Sequence, residues 1–353
     1  MFMEENKPLA PFTTFGIGGP ARWFVEATSE DDIEEATGWA RERGLALFVL
    51  GGGSNLLVAD AGFDGLVLRI GLRGIEIREP EFLRLGGKSI YSAAAGEDWD
   101  SFVQRAVEDN CAGIECLAGI PGTVGGTPVQ NVGAYGQEVA ATIDSVRVFD
   151  LLAGLFHNFP GEICGFGYRR SRFNSTDRGR YIVTRVDYRL KRGGAPTLRY
   201  AELQRAIQVS GFGERPPSLT EVAEAVRRVR RGKGMLLVEG DPDCHSAGSF
   251  FKNPVISEEQ VEQIAVVSGK EPPRFTASPG QVKLPAAWLI EQAGFQKGYA
   301  LGRAGVSSRH TLALINRGGA TAEEILALAS RIGNAVEVRF GIRLEMEPVM
   351  VGF

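Results

Sequence analysis

Residues 119–136 read GIPGTVGGTPVQNVGAYG and contain six glycines. Glycine lets a backbone take positive φ or approach a ligand closely, and holding so many glycines in one conformation costs entropy. We therefore interpret this segment as a binding loop, whose uncovered backbone N–H groups suit a phosphate or the edge of a flat ring. Gln130, Asn131 and Tyr135 add side-chain donors and acceptors at short range. A purely structural glycine-rich hairpin is the alternative, and it leaves the interleaved amides unexplained.

The composition limits the class of protein. A chain of 353 residues is long for one core and favours two or three domains. Its 44% hydrophobic and 23% charged residues are typical of a globular protein, and its net charge of −4 argues against nucleic-acid binding. We see no signal peptide and no apolar run of the ~20 residues that a membrane helix needs. Scattered cysteines and histidines predict free thiols in a reducing cytoplasm and no metal site. We expect a cytoplasmic monomer.

The first segment is predicted to alternate strand, helix and strand. Residues 29–43 open with Ser29 and several acids and stop before Gly44, as helices do. The apolar run 45–50 fits a buried strand, and the GGGSN that follows at 51–55 leads into further strand. A dinucleotide fold of the Rossmann type needs G-x-G-x-x-G opening a helix, so that fold is excluded.

Later segments mix helices with antiparallel strands, which predicts an α+β fold and not one doubly wound sheet. Thr321 and Glu324 form a capping box, and paired prolines indicate a loop over 210–220. Helices are predicted over about 98–110, 221–231, 257–268, 284–293 and 322–340. Strands are predicted over 145–150, 155–159, 180–190, 311–316 and 342–352. Domains are predicted over 1–78, 79–232 and 233–353, with the final strand able to return to the first.

Three shorter motifs each have a chemical and a plain interpretation. The N–H groups of GGGSN (51–55) could form a nest for a pyrophosphate, or the motif could be a simple β-turn. FGYRRSRF (166–173) places Tyr168 and Arg169 in a polar turn, where Arg169 could bind a carboxylate or belong to a surface cluster. VRRVRRGKG (226–234) could be a solvated helix face, or Arg230 and Lys233 could share one face and bind a diphosphate.

Two further motifs could supply acids. SAGSFFKNP (246–254) offers Ser249 as a proton donor, although most serines beside glycines form turns, and it lacks the G-x-S-x-G pattern of a hydrolase nucleophile. LEME (344–347), in the predicted final strand, places Glu345 and Glu347 on one face. One of these acids could be buried, or both could be solvated.

The order of these motifs resembles that of one family, the UDP-N-acetylenolpyruvoylglucosamine reductases. The matching segments are FTTFGIGG (12–19), LGGGSN (50–55), GIPGTVGGTPVQNVGAYG (119–136), GYRRSRF (167–173), GSFFKNP (248–254), AAWLIEQAG (286–294) and LEME (344–347). The resemblance covers essentially the whole chain, and its most specific parts are the glycine-rich loop and GSFFKNP.

This resemblance implies a fold and a reaction. The fold would be an FAD-binding fold of the vanillyl-alcohol-oxidase type in two subdomains, followed by a C-terminal α+β substrate-binding domain. NADPH would reduce the FAD, and the reduced flavin would convert UDP-N-acetylglucosamine enolpyruvate to UDP-N-acetylmuramate, a precursor of peptidoglycan. The implied partner is therefore a small molecule, and the glycine-rich loop would be the place where flavin and substrate meet.

The resemblance also implies roles for individual residues. Arg169 and Glu347 would stabilise an enolate-like intermediate, and Ser249 would donate the proton. The residues implied to contact FAD are Gly51, Gly52, Gly53, Ser54, Asn55, Gly119, Gly122, Thr123, Gly126, Thr127 and Gly133. The residues implied to contact the nucleotide-sugar are Gln130, Tyr135, Tyr168, Tyr200, Arg230, Lys233, Asn253 and Lys297. Tyr200 resembles the tyrosine of the family's type I members, whose loop closes over the UDP.

The chain departs from the family pattern in two places. Members usually continue the final motif as E-V-R, whereas Glu347 is followed here by Pro348, Val349 and Met350. His310 stands where relatives often carry glutamine. Two other functions would share part of the pattern: a different oxidase with the same flavin fold, and a nucleotide-sugar binder without catalysis. The basic run and GSFFKNP argue against the first, and the intact motifs argue against the second.

Overall fold

The computed structural model describes residues 1–78, 87–209 and 215–353. The chain divides into two compact units, each built from several stretches of sequence. Unit 1 comprises Met1–Lys7, Ala21–Gly52 and Asp64–Arg231, and unit 2 comprises Pro8–Pro20, Gly53–Phe63 and Gly232–Phe353. The predicted division into domains 1–78, 79–232 and 233–353 stays a prediction.

The helices and strands of the described residues mix as an α+β fold requires. The helices are α1 (Glu30–Glu42), α2 (Trp99–Glu108), α3 (Ala201–Val209), α4 (Leu219–Gly232), α5 (Glu258–Ser268), α6 (Ala286–Gln292) and α7 (Ala322–Phe340). The strands are β1 (Met3–Pro8), β2 (Pro20–Ala27), β3 (Ala46–Leu50), β4 (Leu56–Val58), β5 (Phe63–Ile70), β6 (Ile75–Arg78), β7 (Lys88–Ala94), β8 (Cys111–Ala112), β9 (Gly133–Ala134), β10 (Gln137–Glu138), β11 (Ile143–Asp150), β12 (Leu155–Pro160), β13 (Tyr181–Arg192), β14 (Val255–Ser257), β15 (Phe275–Thr276), β16 (Gln281–Lys283), β17 (Ala300–Leu301), β18 (Ala304–Val306), β19 (Leu314–Asn316) and β20 (Val349–Val351).

Unit 1 contains two sheets and a short hairpin. The first sheet has the order β1-β2-β5-β3, in which β3 and β5 are parallel, and the second has the antiparallel order β12-β11-β13-β7-β6, with β8 also pairing β13. The predicted helix at 29–43 is α1, and Ser29 and Asp32 form its capping box. In α2, Trp99 and Phe102 are buried and pack their rings against Tyr188 of β13. This aromatic cluster fixes the helix that precedes the glycine-rich loop.

Unit 2 gathers its core from both ends of the chain. Phe15, Ile17 and Leu57 pack in one hydrophobic cluster with residues of α5, α6 and α7. Strand β20 pairs in parallel with β4, so the C-terminal strand returns to the 1–78 region of the sequence. The predicted capping box of Thr321 and Glu324 is present at the start of α7.

Several sequence predictions of secondary structure need correction. The predicted final strand over 342–352 is limited to β20, because Ile342–Leu344 and the LEME motif form no continuous ladder and Met346 makes only an isolated bridge to Phe251. The predicted strand over 311–316 begins only at Leu314. Part of the predicted loop over 210–220, namely 210–214, lies outside the described residues, and its end is already helical because α4 begins at Leu219.

The described ranges contain neither a metal-binding cluster nor a membrane-spanning helix. No group of three or more His, Cys, Asp and Glu side chains there is arranged to hold a metal ion. None of the helices in those same ranges combines the length and the apolar character that crossing a bilayer requires. The four cysteines are free and buried.

One ion pair gives unit 1 a pH-dependent stability. Asp150, at the end of β11, accepts hydrogen bonds from Arg180 at 2.7 Å and from the Leu152 N–H at 2.9 Å. The Arg180 hydrogen bonds lower the pKa of Asp150 from 3.8 to about 2. Because the folded pKa is the lower one, this stabilisation is present above the unfolded pKa and is lost as the pH falls toward the folded value.

We predict that Asp150→Asn lowers the free energy of unfolding at pH 7 by about 1.5–3 kcal/mol, the range for hydrogen bonds to charged groups. The difference from wild type should shrink as the pH is lowered from 4 to about 2, because the wild-type carboxylate is then protonated. Urea unfolding followed over this pH range measures it. Asp144→Asn, at a partly exposed pair with Arg189, is the control and should change stability little. A constant Asp150 difference at all pH values would contradict the prediction.

Candidate active site

The glycine-rich loop begins at a fixed point in unit 1. Asp100, in the first turn of α2, accepts hydrogen bonds from the Gly119 N–H at 2.6 Å and from Arg227 Nη2 at 2.7 Å. Arg230, in the last turn of α4, donates from Nε to the Gly119 carbonyl at 2.9 Å. Both backbone polar groups of Gly119 are therefore held by charged side chains from two helices.

Gly51 and Gly52 lie against the beginning of this loop, also in unit 1. A Cβ on Gly52 would lie 2.5 Å from the Gly122 Cα, and a Cβ on Gly51 would lie 3.0 Å from Thr123 Oγ1. The two segments therefore approach backbone to backbone. Thr123 Oγ1 is buried and makes no hydrogen bond within the described residues. A buried hydroxyl without a protein partner is expected where a bound molecule completes the hydrogen bonding.

The rest of the GGGSN motif belongs to unit 2. Gly53 has a φ of 64°, and a Cβ there would overlap the Phe12 carbonyl oxygen. The Asn55 carbonyl accepts the Val349 N–H at 2.9 Å, and Asn55 Nδ2 donates to the Glu347 carbonyl at 3.3 Å. Ser54, which stands between Gly53 and Asn55 in the sequence, is half-buried. The motif therefore anchors the backbone of the C-terminal segment on both sides of Pro348.

The middle of the glycine-rich loop separates into core and open positions. Thr127 is 2% exposed; its hydroxyl donates to the Val124 carbonyl at 2.8 Å and lies 2.5 Å from the Tyr188 hydroxyl. Its side chain therefore belongs to the core, and only its backbone could contact a ligand. Gly126 is exposed, and a Cβ there would meet no heavy atom of the described residues within 4 Å beyond its chain neighbours. A Cβ on Gly133, in contrast, would meet Glu138 Cγ at 2.7 Å.

Three predicted substrate residues lie together in unit 1. Tyr135 and Gly136 form the two-residue turn between β9 and β10 with φ values of 49° and 85°, as in a type I′ turn. The Tyr135 ring lies edge-on to the Tyr200 ring, with centroids 5.6 Å apart. Burial raises the pKa of Tyr135 to about 12, and its hydroxyl is hydrogen-bonded to Arg230. Burial also lowers the pKa of Arg230.

Arg169 lies in a tight turn near the same loop. The turn is closed by mutual backbone hydrogen bonds between Gly167 and Arg170, and Arg169 has a φ of 54°. Its Nη1 donates to the Gly133 carbonyl at 3.0 Å, and its guanidinium lies 5.7 Å from the centre of the Tyr168 ring. Tyr168 is 44% exposed. Gln130, also in unit 1, is half-buried.

In unit 2, the LEME motif pairs with GSFFKNP. The Lys252 N–H donates to the Glu345 carbonyl and the Glu347 N–H to the Phe250 carbonyl, each at 2.9 Å. The Glu345 side chain is exposed and forms an ion pair with Lys252, whereas Glu347 is half-buried. Ser249 directly precedes Phe250 and is half-buried. The pairing thus places the backbone of Glu347 opposite that of Phe250, one residue along the chain from Ser249, while the Glu345 side chain is engaged at the surface.

The predicted basic site on α4 needs correction. Helix α4 ends at Gly232, so Lys233 lies beyond it and does not share a helix face with Arg230, contrary to the sequence prediction. The arginines are also not simply solvated, because Arg227 and Arg230 bind Asp100 and Gly119. In unit 2, Lys233 is half-buried and Lys297 is exposed.

Asn253 has a structural contact besides its predicted role. Its Oδ1 accepts the N–H of Ala286 at 2.9 Å, where α6 begins. A helix N-terminus has free N–H groups that such a side chain can satisfy. The side-chain NH₂ of Asn253 is the part that remains suited to a substrate contact. His310 likewise serves its own loop, because its Nδ1 accepts the Leu312 N–H at 3.1 Å.

Sequence reasoning missed three polar side chains that support the site. Asp100 lies within the predicted helix over 98–110 and carries no signal of its own in the sequence, and the sequence indicates Asn131 only as a residue that could contact a bound molecule. Glu115 is fully buried and accepts hydrogen bonds from the Gly113 and Thr197 N–H groups, both at 2.7 Å, and from Gln137 Nε2 at 2.8 Å. Its only sequence signal is an acid between apolar residues in GIECL, which does not reveal its partners.

Comparison with known proteins places these residues in a family. The model of the UDP-N-acetylenolpyruvoylglucosamine reductase C-terminal domain matches residues 241–351, and an FAD-binding-domain model matches residues 21–157. A UDP-N-acetylenolpyruvoylglucosamine reductase of Streptomyces coelicolor is 48% identical, covering 99% of this chain and 90% of that protein. The Thermobifida fusca reductase is 45% identical, covering 99% of this chain and 98% of that protein.

A solved structure extends the comparison to the fold. The crystal structure of UDP-N-acetylenolpyruvylglucosamine reductase from Thermus caldophilus matches with a TM-score of 0.68 and 28% identity, covering 99% of this chain and 100% of that chain. The predicted fold class is therefore confirmed as α+β with an FAD-binding domain, and FAD is confirmed as the cofactor. The chain belongs to the UDP-N-acetylenolpyruvoylglucosamine reductase family.

Proposed function

We propose that the protein reduces UDP-N-acetylglucosamine enolpyruvate to UDP-N-acetylmuramate in peptidoglycan precursor synthesis, with FAD as cofactor and NADPH as the reductant. The observation that carries this proposal is the end-to-end similarity to reductases of that name, which includes the C-terminal domain. A different oxidase sharing only the flavin domain would not need that C-terminal match. A non-catalytic binder would not need Arg169, Ser249 and Glu347 together.

The residues of unit 1 fit an FAD. Gly51 and Gly52 leave bare backbone beside Gly122 and Thr123, a side chain at Gly52 has no room there, and Thr123 offers a buried hydroxyl that no described protein group uses. Backbone N–H groups in such a concave segment suit a pyrophosphate. FAD supplies the hydride chemistry when bound, and the chain supplies position and electrostatics.

Arg169 and Glu347 would stabilise charge on the substrate. Adding hydride to the terminal vinyl carbon puts negative charge next to, and onto, the substrate carboxylate. A fixed cation and a hydrogen-bonding acid lower the barrier when they interact more strongly with that developing charge than with the ground state. Arg169 suits the first role because its turn and its bond to Gly133 hold it in place. Glu347 suits the second better than Glu345, which is exposed and paired with Lys252.

Ser249 would donate the proton that completes the reduction. A hydroxyl is a weak acid, so it serves as a general acid only toward a strongly basic carbon, and the enolate-like intermediate has one. Ser249 lies in a turn after Gly248, whose φ is 72°. Its hydroxyl makes no hydrogen bond to the protein within the described residues, so it is available to a substrate.

The remaining proposed contacts hold the nucleotide-sugar. Lys233 and Lys297 supply cations in unit 2 for the diphosphate, with Asn253 in the same unit. In unit 1, Tyr135 and Tyr200 offer aromatic surface and hydroxyls. The other members of this proposed set in unit 1 are Gln130, Tyr168 and Arg230.

We predict that Gly52→Ala both destabilises the apoprotein and weakens FAD binding, because its Cβ would meet the Gly122 backbone at 2.5 Å. Gly126→Ala is the matched variant, since a Cβ there has open space for 4 Å among the described residues. It should leave apoprotein stability unchanged while lowering FAD affinity, because Gly126 belongs to the set of residues expected to contact FAD. Thermal unfolding without FAD and flavin titration measure the two effects. Equal behaviour of the two variants in both measurements would contradict this prediction.

We predict that Ser249→Ala leaves reduction of the bound flavin by NADPH intact and slows its reoxidation by the enolpyruvyl nucleotide by about 10²–10⁴-fold, the usual range for general acid catalysis. Anaerobic stopped-flow measurement of the flavin band separates the two half-reactions. Ser246→Ala is the control, because Ser246 Oγ accepts the Gly248 N–H at 3.2 Å and therefore tests the turn without removing the Ser249 hydroxyl. Equal slowing of both half-reactions by Ser249→Ala would exclude the acid role.

We predict that Lys233→Ala and Lys297→Ala each raise the KM for the enolpyruvyl nucleotide by about 10-fold or more, as loss of a charge-assisted contact of about 1.5–3 kcal/mol implies. The KM for NADPH should stay the same. Lys270→Ala, at an exposed lysine after α5, is the control. Steady-state kinetics with each substrate varied in turn measures the effect. An unchanged KM for the nucleotide would show that the substituted lysine does not bind the substrate.

A further inference from the structure

Arg169 is joined to the glycine-rich loop at two ends, at its backbone turn and at its guanidinium. The guanidinium bond is Arg169 Nη1 to the Gly133 carbonyl, at 3.0 Å. The backbone bond comes from Asn131, whose Nδ2 donates to the Gly167 carbonyl at 2.9 Å, within the turn that carries Arg169. Ser171 adds a third bond beside the turn, from Oγ to the Val129 carbonyl at 2.5 Å.

The orientation of the Asn131 amide is fixed by its other contacts. Its Oδ1 accepts the Ala140 N–H at 3.1 Å, and its Nδ2 also donates to Glu138 Oε2 at 2.8 Å. Only the oxygen can accept from an N–H, and only the NH₂ can donate to two oxygens, so a flipped amide would lose all three bonds. The side chain is 1% exposed, so water does not compete for these bonds.

The turn that Asn131 holds is conformationally costly. Arg169 has a φ of 54°, a region that residues with a Cβ occupy rarely because it is sterically strained. Such a conformation persists only when surrounding contacts impose it. Asn174 contributes one of them, since its Nδ2 donates to the Arg169 carbonyl at 3.1 Å. That bond closes the turn locally, whereas Asn131 sets where the turn lies against the glycine-rich loop.

We propose that Asn131 is a positioning residue for catalysis, which acts through Arg169 by holding the 167–170 turn against the glycine-rich loop. The inference rests on the proposed function, in which Arg169 stabilises the negative charge that develops on the substrate. Asn131 itself touches no reacting atom in this role. Asn131 instead determines the position of the Arg169 guanidinium. Misplacement of a catalytic group by about 1 Å can lower the rate by about 10²-fold.

The test is a double-substitution cycle on the substrate half-reaction. Asn131→Asp keeps the size of the side chain but replaces the NH₂ donor with an oxygen, which faces the Gly167 carbonyl. Asn131→Gly is the second variant, because it removes the side chain without adding strain at a φ of 47°. Each is combined with Arg169→Ala, which removes the guanidinium while keeping a Cβ at the same φ. Bound flavin and thermal unfolding show which proteins are folded before the kinetics are compared.

In the wild-type background, both Asn131 variants should slow flavin reoxidation by the enolpyruvyl nucleotide by about 10–100-fold. Reduction of the flavin by NADPH should stay within about twofold of wild type, the scatter of independent sites. In the Arg169→Ala background the effect of either Asn131 variant should fall to within about twofold, since the group it positions is gone. Asn110→Gly, in the turn between α2 and β8 and also at positive φ, is the control and should change neither half-reaction.

Three different outcomes would overturn the inference. If the Asn131 variants slow substrate reoxidation by the same factor with and without Arg169, Asn131 acts independently of that residue and its role is structural. If Arg169→Ala itself reacts with substrate at the wild-type rate, the proposed function of Arg169 fails and the inference fails with it. Equal slowing of both half-reactions by Asn131→Asp would also overturn it, because a general structural defect has that signature.

Discussion

The conformation of the glycine-rich loop depends first on the hydrogen bond from the Gly119 N–H to the Asp100 carboxylate. A glycine-rich segment has few side chains with which to fix itself, so its conformation depends on what its backbone is bonded to. The Asp100 carboxylate accepts the Gly119 N–H, and Arg227 neutralises the same carboxylate. Hydrogen bonds to ionised groups are the stronger ones, and this carboxylate joins α2, α4 and the loop at one point. Arg230 adds the bond to the Gly119 carbonyl.

Strained backbone conformations occur in the glycine-rich loop and in the turn that carries Arg169. Five residues other than glycine have positive φ in the described part of the chain, and Asn131, Tyr135 and Arg169 are three of them. Among residues other than glycine, asparagine adopts positive φ comparatively easily, whereas tyrosine and arginine adopt it rarely. Strained backbone tends to concentrate at functional sites, where surrounding contacts hold it. The contacts here are visible: the β9–β10 hairpin holds Tyr135, and the Asn131 amide holds the turn of Arg169.

The sequence predicts those parts of the structure that local chemistry determines. The helix at 29–43 and the one at 322–340 carry their caps in the sequence, because a capping box involves residues only three apart. The alternating strand at 180–190 is recognisable because the period of two follows from burial of one face, and Ile182, Val186 and Leu190 are indeed buried. The order of the motifs is sufficient to identify the family.

Contacts between residues far apart in sequence are not predictable in the same way. Thr127 resembles a cofactor contact in the loop, but its hydroxyl lies against Tyr188, 61 residues later in the chain. Glu115 resembles a surface acid, but it binds the Thr197 N–H, 82 residues away. The basic run suggests a helix that continues through Lys233, whereas Gly232 and Gly234 favour ending the helix before it. A single sequence does not show which residues that are far apart along the chain will be in contact in the fold.

The departure from the family pattern after Glu347 has a physical consequence of its own. Proline fixes its own φ and biases the preceding residue toward extended backbone. Pro348 therefore favours the extended conformation in which the Glu347 N–H reaches the Phe250 carbonyl. Asn55 bonds the chain on both sides of this proline, at the Glu347 carbonyl and the Val349 N–H. The backbone of Glu347 is thus held by stiffness and two hydrogen-bonding partners, which is what an acid needs if it is to meet charge at one fixed place.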